Sequence, residues 1–249
     1  MFSVFSLRKK SCVLASMRGV LCIALCLTFS SFAYGGSISG TCRYEGTVPQ
    51  FKPINPASDP VCAEMHRQEP IVNESLVLGP NQTLANVFVE IVGGLPKKDW
   101  PVPTTPVTLS QRGCRYRPHV FALRVGQTLE VLNPDRTFHN VNGMPRVNPP
   151  FNKGMPEQVE RIEIVFQQPE PPFPIKCDVH PWMLAYCAVV DHPFYAVSDA
   201  EGRFEITGVE PGTYEVRAWH EKLGEQRTTV TVKEDAPAAV DFIFSRSSR

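Results

Sequence analysis

Cys177-Asp178-Val179-His180-Pro181-Trp182-Met183 is the stretch of this 249-residue chain that says most about its fold. A Cys at the end of a strand and a His three residues later reach one ion from a tight loop, and the Met returns to that ion as the next strand begins. A single His139 lies upstream, after Asn133-Pro134-Asp135. The spacing therefore predicts a strand, a metal-binding loop and a second strand.

The four residue types in these stretches select a metal. A thiolate, two imidazoles and a thioether form the ligand set of a mononuclear blue-copper site, in which two His and one Cys lie in a plane and Met binds weakly from the axis. Zinc sites use Cys, His and carboxylate and seldom recruit Met. We therefore predict one type 1 copper, with these ligands: His139, Cys177, His180 and Met183. The alternative is ordinary packing of a thiol, an imidazole and a thioether without metal.

A longer stretch around His139 points to a family. Residues 118–135, followed by His139-Asn140-Val141, resemble the corresponding segment of cupredoxins such as plastocyanin, and the loop from Cys177 to Met183 most resembles that of amicyanin. The resemblance covers residues 105–191 and implies a Greek-key cupredoxin domain that transfers electrons through copper. Two features depart from the family: a Pro-rich segment 169–176, whose edge pairing we expect to be altered because Pro cannot donate to a ladder, and an insertion at 143–157.

The residues beside Cys177 argue against an enzyme. Multicopper oxidases and copper nitrite reductases resemble cupredoxins, but they place a His next to the thiolate ligand, which connects it to a catalytic copper. Here the neighbours are Lys176 and Asp178, and the loop has no second Cys for a binuclear site. We therefore expect an electron carrier or a copper-binding protein.

Other residues are predicted to serve the metal indirectly. We expect Asn140 and His119 to support the ligands by hydrogen bonding, as residues around metal ligands commonly do. Electrons are predicted to leave through the outer edge of His180, with Pro181 and Trp182 forming part of an apolar docking patch for a redox partner protein. The strand that begins at His119 should form a hairpin with residues 107–111.

The N-terminus predicts export. Four basic residues precede the apolar run 20–27, and Ser31-Phe32-Ala33 offers small residues for cleavage, so residues 1–33 are predicted to be a signal peptide, with an uncleaved anchor as the alternative. Cleavage would leave 21 basic against 25 acidic residues, a net charge of −4, which argues against nucleic-acid binding. No later apolar segment reaches the length of a membrane span. We expect a secreted or periplasmic protein.

Five Cys follow residue 33. If Cys177 binds metal, four remain in an oxidising compartment, where three connectivities exist. We favour a disulfide between Cys62 and Cys114, since both lie in polar, turn-like sequence. Cys42 and Cys187 lie in apolar strands and should be inert core thiols.

The chain is predicted to be all-β, because short β-branched and aromatic runs alternate with Gly, Pro and Asn and no long amphipathic helix pattern occurs. The stretch from Ala196 to Val216 resembles the carboxypeptidase regulatory-like sandwich, a carbohydrate-binding-like fold, and is too short to close one alone. We therefore predict that residues 36–98 and 192–246 form this sandwich together and that a cupredoxin domain, residues 105–191, is inserted in it or packed beside it.

Two further functions stay open at this point. One is copper handling without fast electron transfer, in which Met144 and Met155 add soft ligands. The other is an extracellular binding module, in which the sandwich recognises glycan or protein; no aromatic sugar platform supports it in the sequence.

Overall fold

The computed structural model describes residues 35–234 and 236–246, so the predicted signal peptide lies outside the described residues. In chain order the elements are β1 Gly36–Glu45, α1 Pro60–Met65, a 3-10 turn Pro80–Gln82, β2 Phe88–Gly93, β3 Val107–Ser110, β4 Val120–Arg124, β5 Thr128–Leu132, β6 His139–Gly143, β7 Phe151–Met155, β8 Arg161–Val165, β9 Glu170–Lys176, β10 Leu184–Val190, β11 Tyr195–Val197, β12 Arg203–Val209, β13 Gly212–His220, β14 Gly224–Val232, β15 Ala238–Ala239 and β16 Phe242–Ser245. The described chain is almost entirely β, as predicted.

Strands from both ends of the described chain build one sandwich. Its first sheet has the order β12-β1-β15, with β16 also paired to β1, and its second has the order β11-β2-β13-β14. A single apolar core takes residues from both sheets, among them Ile38 of β1, Ile91 of β2 and Phe244 of β16. The upstream strands β1 and β2 thus complete the C-terminal sandwich, which we call the outer sandwich.

The strands between β2 and β11 build a second sandwich, which we call the inner sandwich. A five-stranded sheet of order β4-β10-β9-β6-β7 packs with a three-stranded sheet of order β3-β5-β8. The core includes Leu123, Val131 and Ile175, all fully buried. The inner sandwich is therefore inserted between strands of the outer sandwich, while the residue boundaries of the domains stay a prediction.

β4 and β10 hold the two sandwiches together. In β4 every side chain is buried: Phe121 and Leu123 enter the core of the inner sandwich, while Val120 and Ala122 contact a separate cluster with Phe88 of β2. Strands covered on both faces read as continuous apolar runs instead of alternating ones. The apolar run 120–123 of β4 and the largely apolar sequence of β10 therefore reflect a sheet that is packed on two sides.

One sequence prediction about strand pairing was wrong. Residues 107–111 do not form a hairpin with the strand that begins after His119, because β3 pairs in parallel with β5 and β4 pairs in parallel with β10. The Pro-rich β9 lies between β10 and β6, and its pairing with β10 shifts register between Cys187 and Val189. Pro174 keeps its carbonyl, which accepts from the N–H of Met144 at 3.2 Å, so Pro is tolerated there as an acceptor.

Helix is scarce in the part of the chain that the structure describes. None of its helices is long and apolar enough to cross a membrane. The sequence prediction missed α1, a six-residue helix that Asp59 caps by accepting from the N–H groups of Val61 and Cys62. Asp at the N-cap with Pro at the first position is a favoured start for a short helix.

Candidate metal centre

Strand register brings the predicted ligands to one pole of the inner sandwich. His139 begins β6, which runs antiparallel to β9 and pairs Asn142 with Lys176, the residue before Cys177. The loop from Cys177 to Met183 closes on itself, since the N–H of Met183 donates to the carbonyl of His180 at 2.8 Å and the N–H of Cys177 donates to the carbonyl of Met183 at 3.2 Å. His139 therefore faces the loop that carries the other candidate ligands.

Three of the four candidate ligands converge by their side-chain atoms. One nitrogen each of His139 and His180 and the Sγ of Cys177 all lie within 4.8 Å of one another. The two Nδ1 atoms are 3.0 Å apart, and Cys177 Sγ lies 3.7 Å from His180 Nδ1. Both imidazoles are fully buried and the thiol is 3% exposed. Met183 is buried in the same core.

The groups around Cys177 favour its thiolate form. Burial by itself would raise the pKa of the Cys177 thiol. Hydrogen bonds from His139, His180 and backbone N–H groups outweigh burial and lower that pKa to about 6. Burial lowers the pKa of His139, and the neighbouring Asp135 and Cys177 more than reverse this and raise it. An anionic sulfur beside two imidazole nitrogens is the donor set that copper prefers. The residues present therefore fit a copper ion.

A carboxylate meets the far nitrogen of each imidazole. His139 Nε2 lies 3.1 Å from Asp135 Oδ2, and His180 Nε2 lies 3.1 Å from Asp59 Oδ2. Hydrogen bonds from backbone N–H groups, Thr137 and His180 outweigh burial and lower the pKa of Asp59 to about 2, and the pKa of Asp135 is also lowered. The sequence prediction missed both carboxylates. Asp135 stands four residues before His139, a signal that was available, whereas Asp59 lies far from His180 in the chain.

The residues predicted to support the ligands lie in different places. Asn140 joins β6 to the ligand loop: its Oδ1 accepts from the N–H of Asp178 at 2.7 Å, and its Nδ2 donates to Asp178 Oδ2 at 2.8 Å. His119 faces the outer sandwich, with Nδ1 at 3.0 Å from the carbonyl of Leu184 and Nε2 against Glu221. Asn140 thus contacts the loop, while both nitrogens of His119 are engaged elsewhere.

A short segment covers His180. The cover segment, residues 59–66, comprises the N-cap, α1 and its C-cap. A disulfide between Cys62 and Cys114 fixes it, and Cys62 Sγ lies 3.6 Å from His180 Nε2. The edge of His180, through which electrons are predicted to leave, is therefore covered by residues that are distant in sequence. In the predicted docking patch, Pro181 is exposed, and Trp182 is half-buried and donates from Nε1 to the carbonyl of Cys114 at 3.0 Å.

The other soft side chains differ in their distance from this pole, and Met155 pairs directly opposite His139 across β6 and β7. Cys42 and Cys187 are free and buried, as predicted for core thiols. Met155 is fully buried, with its Sδ 3.0 Å from Gln111 Nε2. Met144 is 52% exposed on the surface. Met155 is therefore the one of the two proposed additional soft ligands that lies beside a candidate copper ligand, and its sulfur contacts Gln111.

Comparison with known proteins gives two likenesses. Residues 188–245 match the model of the carboxypeptidase regulatory-like domain. Among solved structures, a copper-containing nitrite reductase from Thermus scotoductus is 25% identical at a TM-score of 0.32, covering 41% of this chain and 26% of that one. A purple cupredoxin from Nitrosopumilus maritimus is 23% identical at a TM-score of 0.28, covering 33% of this chain and 98% of that one.

An amicyanin mutant in the Cu(I) state is 17% identical at a TM-score of 0.31, covering 41% of this chain and 97% of that one. No curated protein matches. The match spans about a quarter of the length of the nitrite reductase. The chain resembles a cupredoxin combined with a carboxypeptidase regulatory-like domain.

Proposed function

We propose that this chain is an exported electron carrier that binds one type 1 copper through His139, Cys177, His180 and Met183. The observation that carries the proposal is the convergence of two imidazole nitrogens and a thiol sulfur within 4.8 Å at a buried pole. Copper bound there would supply a one-electron couple between Cu(I) and Cu(II). The protein's own contribution is a ligand arrangement that water does not reach.

Several contacts support a rigid arrangement of this kind. Asn140 ties the residue after Cys177 to β6, and the disulfide ties the cover segment over His180. A site held from both sides changes little when its charge changes, which favours electron transfer over substrate chemistry. The neighbours of Cys177, Lys176 and Asp178, provide no imidazole that would lead to a second metal.

The test is a titration of the purified mature chain with Cu(II). We expect an intense visible thiolate-to-copper absorption at one copper per chain, bleached by a reductant and restored by an oxidant. Cys177→Ser should abolish the colour, whereas Cys187→Ala, which removes a buried thiol of β10, should keep it. A colourless stoichiometric complex, or unchanged colour in Cys177→Ser, would overturn the proposal.

A redox partner protein is part of the same proposal. Pro181 is exposed and Val179 is 46% exposed, so the ligand loop presents apolar surface on both sides of the buried His180. Apolar patches at electron-transfer sites suit brief, low-area encounters. Val179→Asp should slow electron exchange with the partner and leave the copper absorption unchanged.

Copper handling is the second candidate, and rates of exchange separate it from the electron carrier. None of the four candidate ligands is more than 3% exposed, since a cover lies over the imidazole edge. A closed site slows exchange of metal as well as access of partners. Rapid electron exchange with small redox reagents and slow copper loss to a chelator would support the carrier; the opposite pair of rates would support handling.

A further inference from the structure

A carboxylate contacts the Nε2 atom of each candidate ligand imidazole, and other hydrogen bonds hold each carboxylate in place. Asp135 accepts from the N–H of Gly113 at 2.9 Å and from the N–H of Cys114 at 2.7 Å, besides contacting His139. Asp59 accepts from the N–H of Val61 at 2.8 Å and from Thr137 Oγ1 at 2.7 Å, besides contacting His180. These donors hold the carboxylates in place and keep them ionised.

The carboxylates determine which imidazole nitrogen carries the proton. An ionised carboxylate accepts hydrogen bonds and donates none, so the 3.1 Å contacts place a proton on Nε2 of His139 and of His180. When a metal ion displaces the protons by which the Nδ1 atoms hydrogen-bond to Cys177, the two Nδ1 lone pairs, 3.0 Å apart, and the Cys177 sulfur all face one point. Three electron-rich atoms directed at one point are a cation site, and this is the tautomer that a metal requires.

We propose that Asp59 and Asp135 are positioning residues that fix both imidazoles for the metal and strengthen them as ligands, so that the site favours Cu(II) over Cu(I). The proposal rests on the proposed copper site. A carboxylate that accepts a hydrogen bond from a ligating imidazole raises the basicity of that ligand, and a more basic ligand stabilises the more highly charged ion.

The two carboxylates come from different parts of the fold. Asp135 lies in the loop before β6, four residues from His139, and belongs to the inner sandwich. Asp59 belongs to the cover segment, which the disulfide anchors beside the site. The segment between β1 and β2 thus supplies both a lid over His180 and the charge behind it. The position of the cover segment would therefore affect the reduction potential of the copper.

The first experiment compares Asp59→Asn and Asp135→Asn with the wild type. Each substitution keeps the shape and removes the charge, and we expect Cu(II) affinity to fall about 10- to 100-fold with little change in Cu(I) affinity. Each tenfold fall in the ratio of Cu(II) affinity to Cu(I) affinity raises the reduction potential by about 59 mV for a one-electron couple. Potential is read by spectroelectrochemistry.

Glu170→Gln is the matched control for these variants. Glu170 is a buried carboxylate of the same sandwich that accepts backbone N–H groups from Arg146, Val147 and Asn148. Its loss should lower stability and leave the potential unchanged. The proposal is overturned if neither Asp variant raises the potential, or if Glu170→Gln raises it equally.

A second measurement needs no copper. In the metal-free protein, long-range proton–nitrogen correlation should show protons on Nε2 of both His139 and His180, with strongly deshielded, slowly exchanging signals. Asp59→Asn should move only the His180 signal, and Asp135→Asn only that of His139. Protons on Nδ1 alone in the wild type would refute the positioning role. Absence of colour in copper-loaded wild type would instead overturn the proposed function, so the two failures are distinguishable.

Discussion

Cys177 of the inner sandwich and Cys42 of the outer sandwich are both buried thiols, 3% and 0% exposed, yet their acidities differ greatly. Burial and the nearby charge of Asp241 raise the pKa of Cys42 to about 12. At Cys177 imidazole and backbone donors outweigh burial and lower the pKa to about 6. Burial alone makes a thiol inert, and it is the donors around the sulfur that make it a ligand.

The same contrast extends to the surroundings of each thiol. Cys42 lies among apolar side chains such as Phe244 and Ile38. Cys177 lies at a pole where imidazoles, carboxylates and a disulfide meet under the cover segment. The outer sandwich thus has a core built for packing, whereas the inner sandwich combines a packed core with a polar, functional end.

The largest expected difference is in thiol titration of the metal-free protein. Cys177 should ionise with a midpoint near pH 6, while Cys42 stays protonated to about pH 12. Ultraviolet thiolate absorption, compared between the wild type and Cys177→Ser, measures this. The wild type should show a thiol ionisation below pH 8 that is missing in Cys177→Ser. Identical titrations of the two proteins below pH 8 would contradict the predicted difference in acidity between Cys177 and Cys42.

The same ionisation makes the stability of the metal-free protein depend on pH. The folded pKa of Cys177 lies below the ordinary value of 9.0, so the stabilisation is fully present above pH 9 and is lost as pH falls through about 6. Denaturant unfolding across this pH range gives the free energy of unfolding at each pH. We expect its dependence on pH to be weaker in Cys177→Ser than in the wild type. An equal slope in both proteins would contradict the expectation.

Removal of the disulfide between Cys62 and Cys114 should have the next largest effect, a loss of stability. Cys62→Ala combined with Cys114→Ala opens a cross-link between residues 52 apart in sequence and should lower the free energy of unfolding by about 2–5 kcal/mol. Alanine avoids leaving free thiols near the metal site. Denaturant unfolding of the metal-free protein gives the value. A loss below about 0.5 kcal/mol, the size of an ordinary surface substitution, would show that the cover is held by other contacts.

The smallest expected effect comes from the outer sandwich. Ile38→Val trims a fully buried side chain of that core and should cost about 0.5–1.5 kcal/mol. The copper absorption and potential should stay at wild-type values, because the site lies in the other core. A shift of the potential would show that the two sandwiches are coupled through β4 and β10.

Local sequence was informative where the structure is local. The loop from Cys177 to Met183 closes through its own backbone, and β5 occupies Thr128–Leu132 as its alternating pattern predicts. Strands β1 and β2 were recognised as partners of the C-terminal strands because that piece is too short to close a sandwich. Spacing and periodicity were sufficient in these places, since neighbours in sequence are also neighbours in space.

Long-range pairing was where prediction from sequence failed. The parallel pairs β3 with β5 and β4 with β10 join segments that no turn connects directly, so a turn signal cannot reveal them. His119 lies beside the end of the ligand loop, at the carbonyl of Leu184, and strand direction could not show that Glu221 of the outer sandwich contacts its other nitrogen. The sequence alone does not reveal which distant side chain will form a hydrogen bond with a given residue such as His119.

By itself the sequence determined an all-β chain and the residue types and spacing of a soft-metal loop, because strand periodicity and a seven-residue motif are encoded locally. Tertiary structure alone decided that His180 is covered and that a carboxylate lies behind it. Asp59 reaches His180 across 121 residues of chain. Such a contact depends on how two sandwiches and a disulfide-bonded segment pack, which only the folded chain fixes.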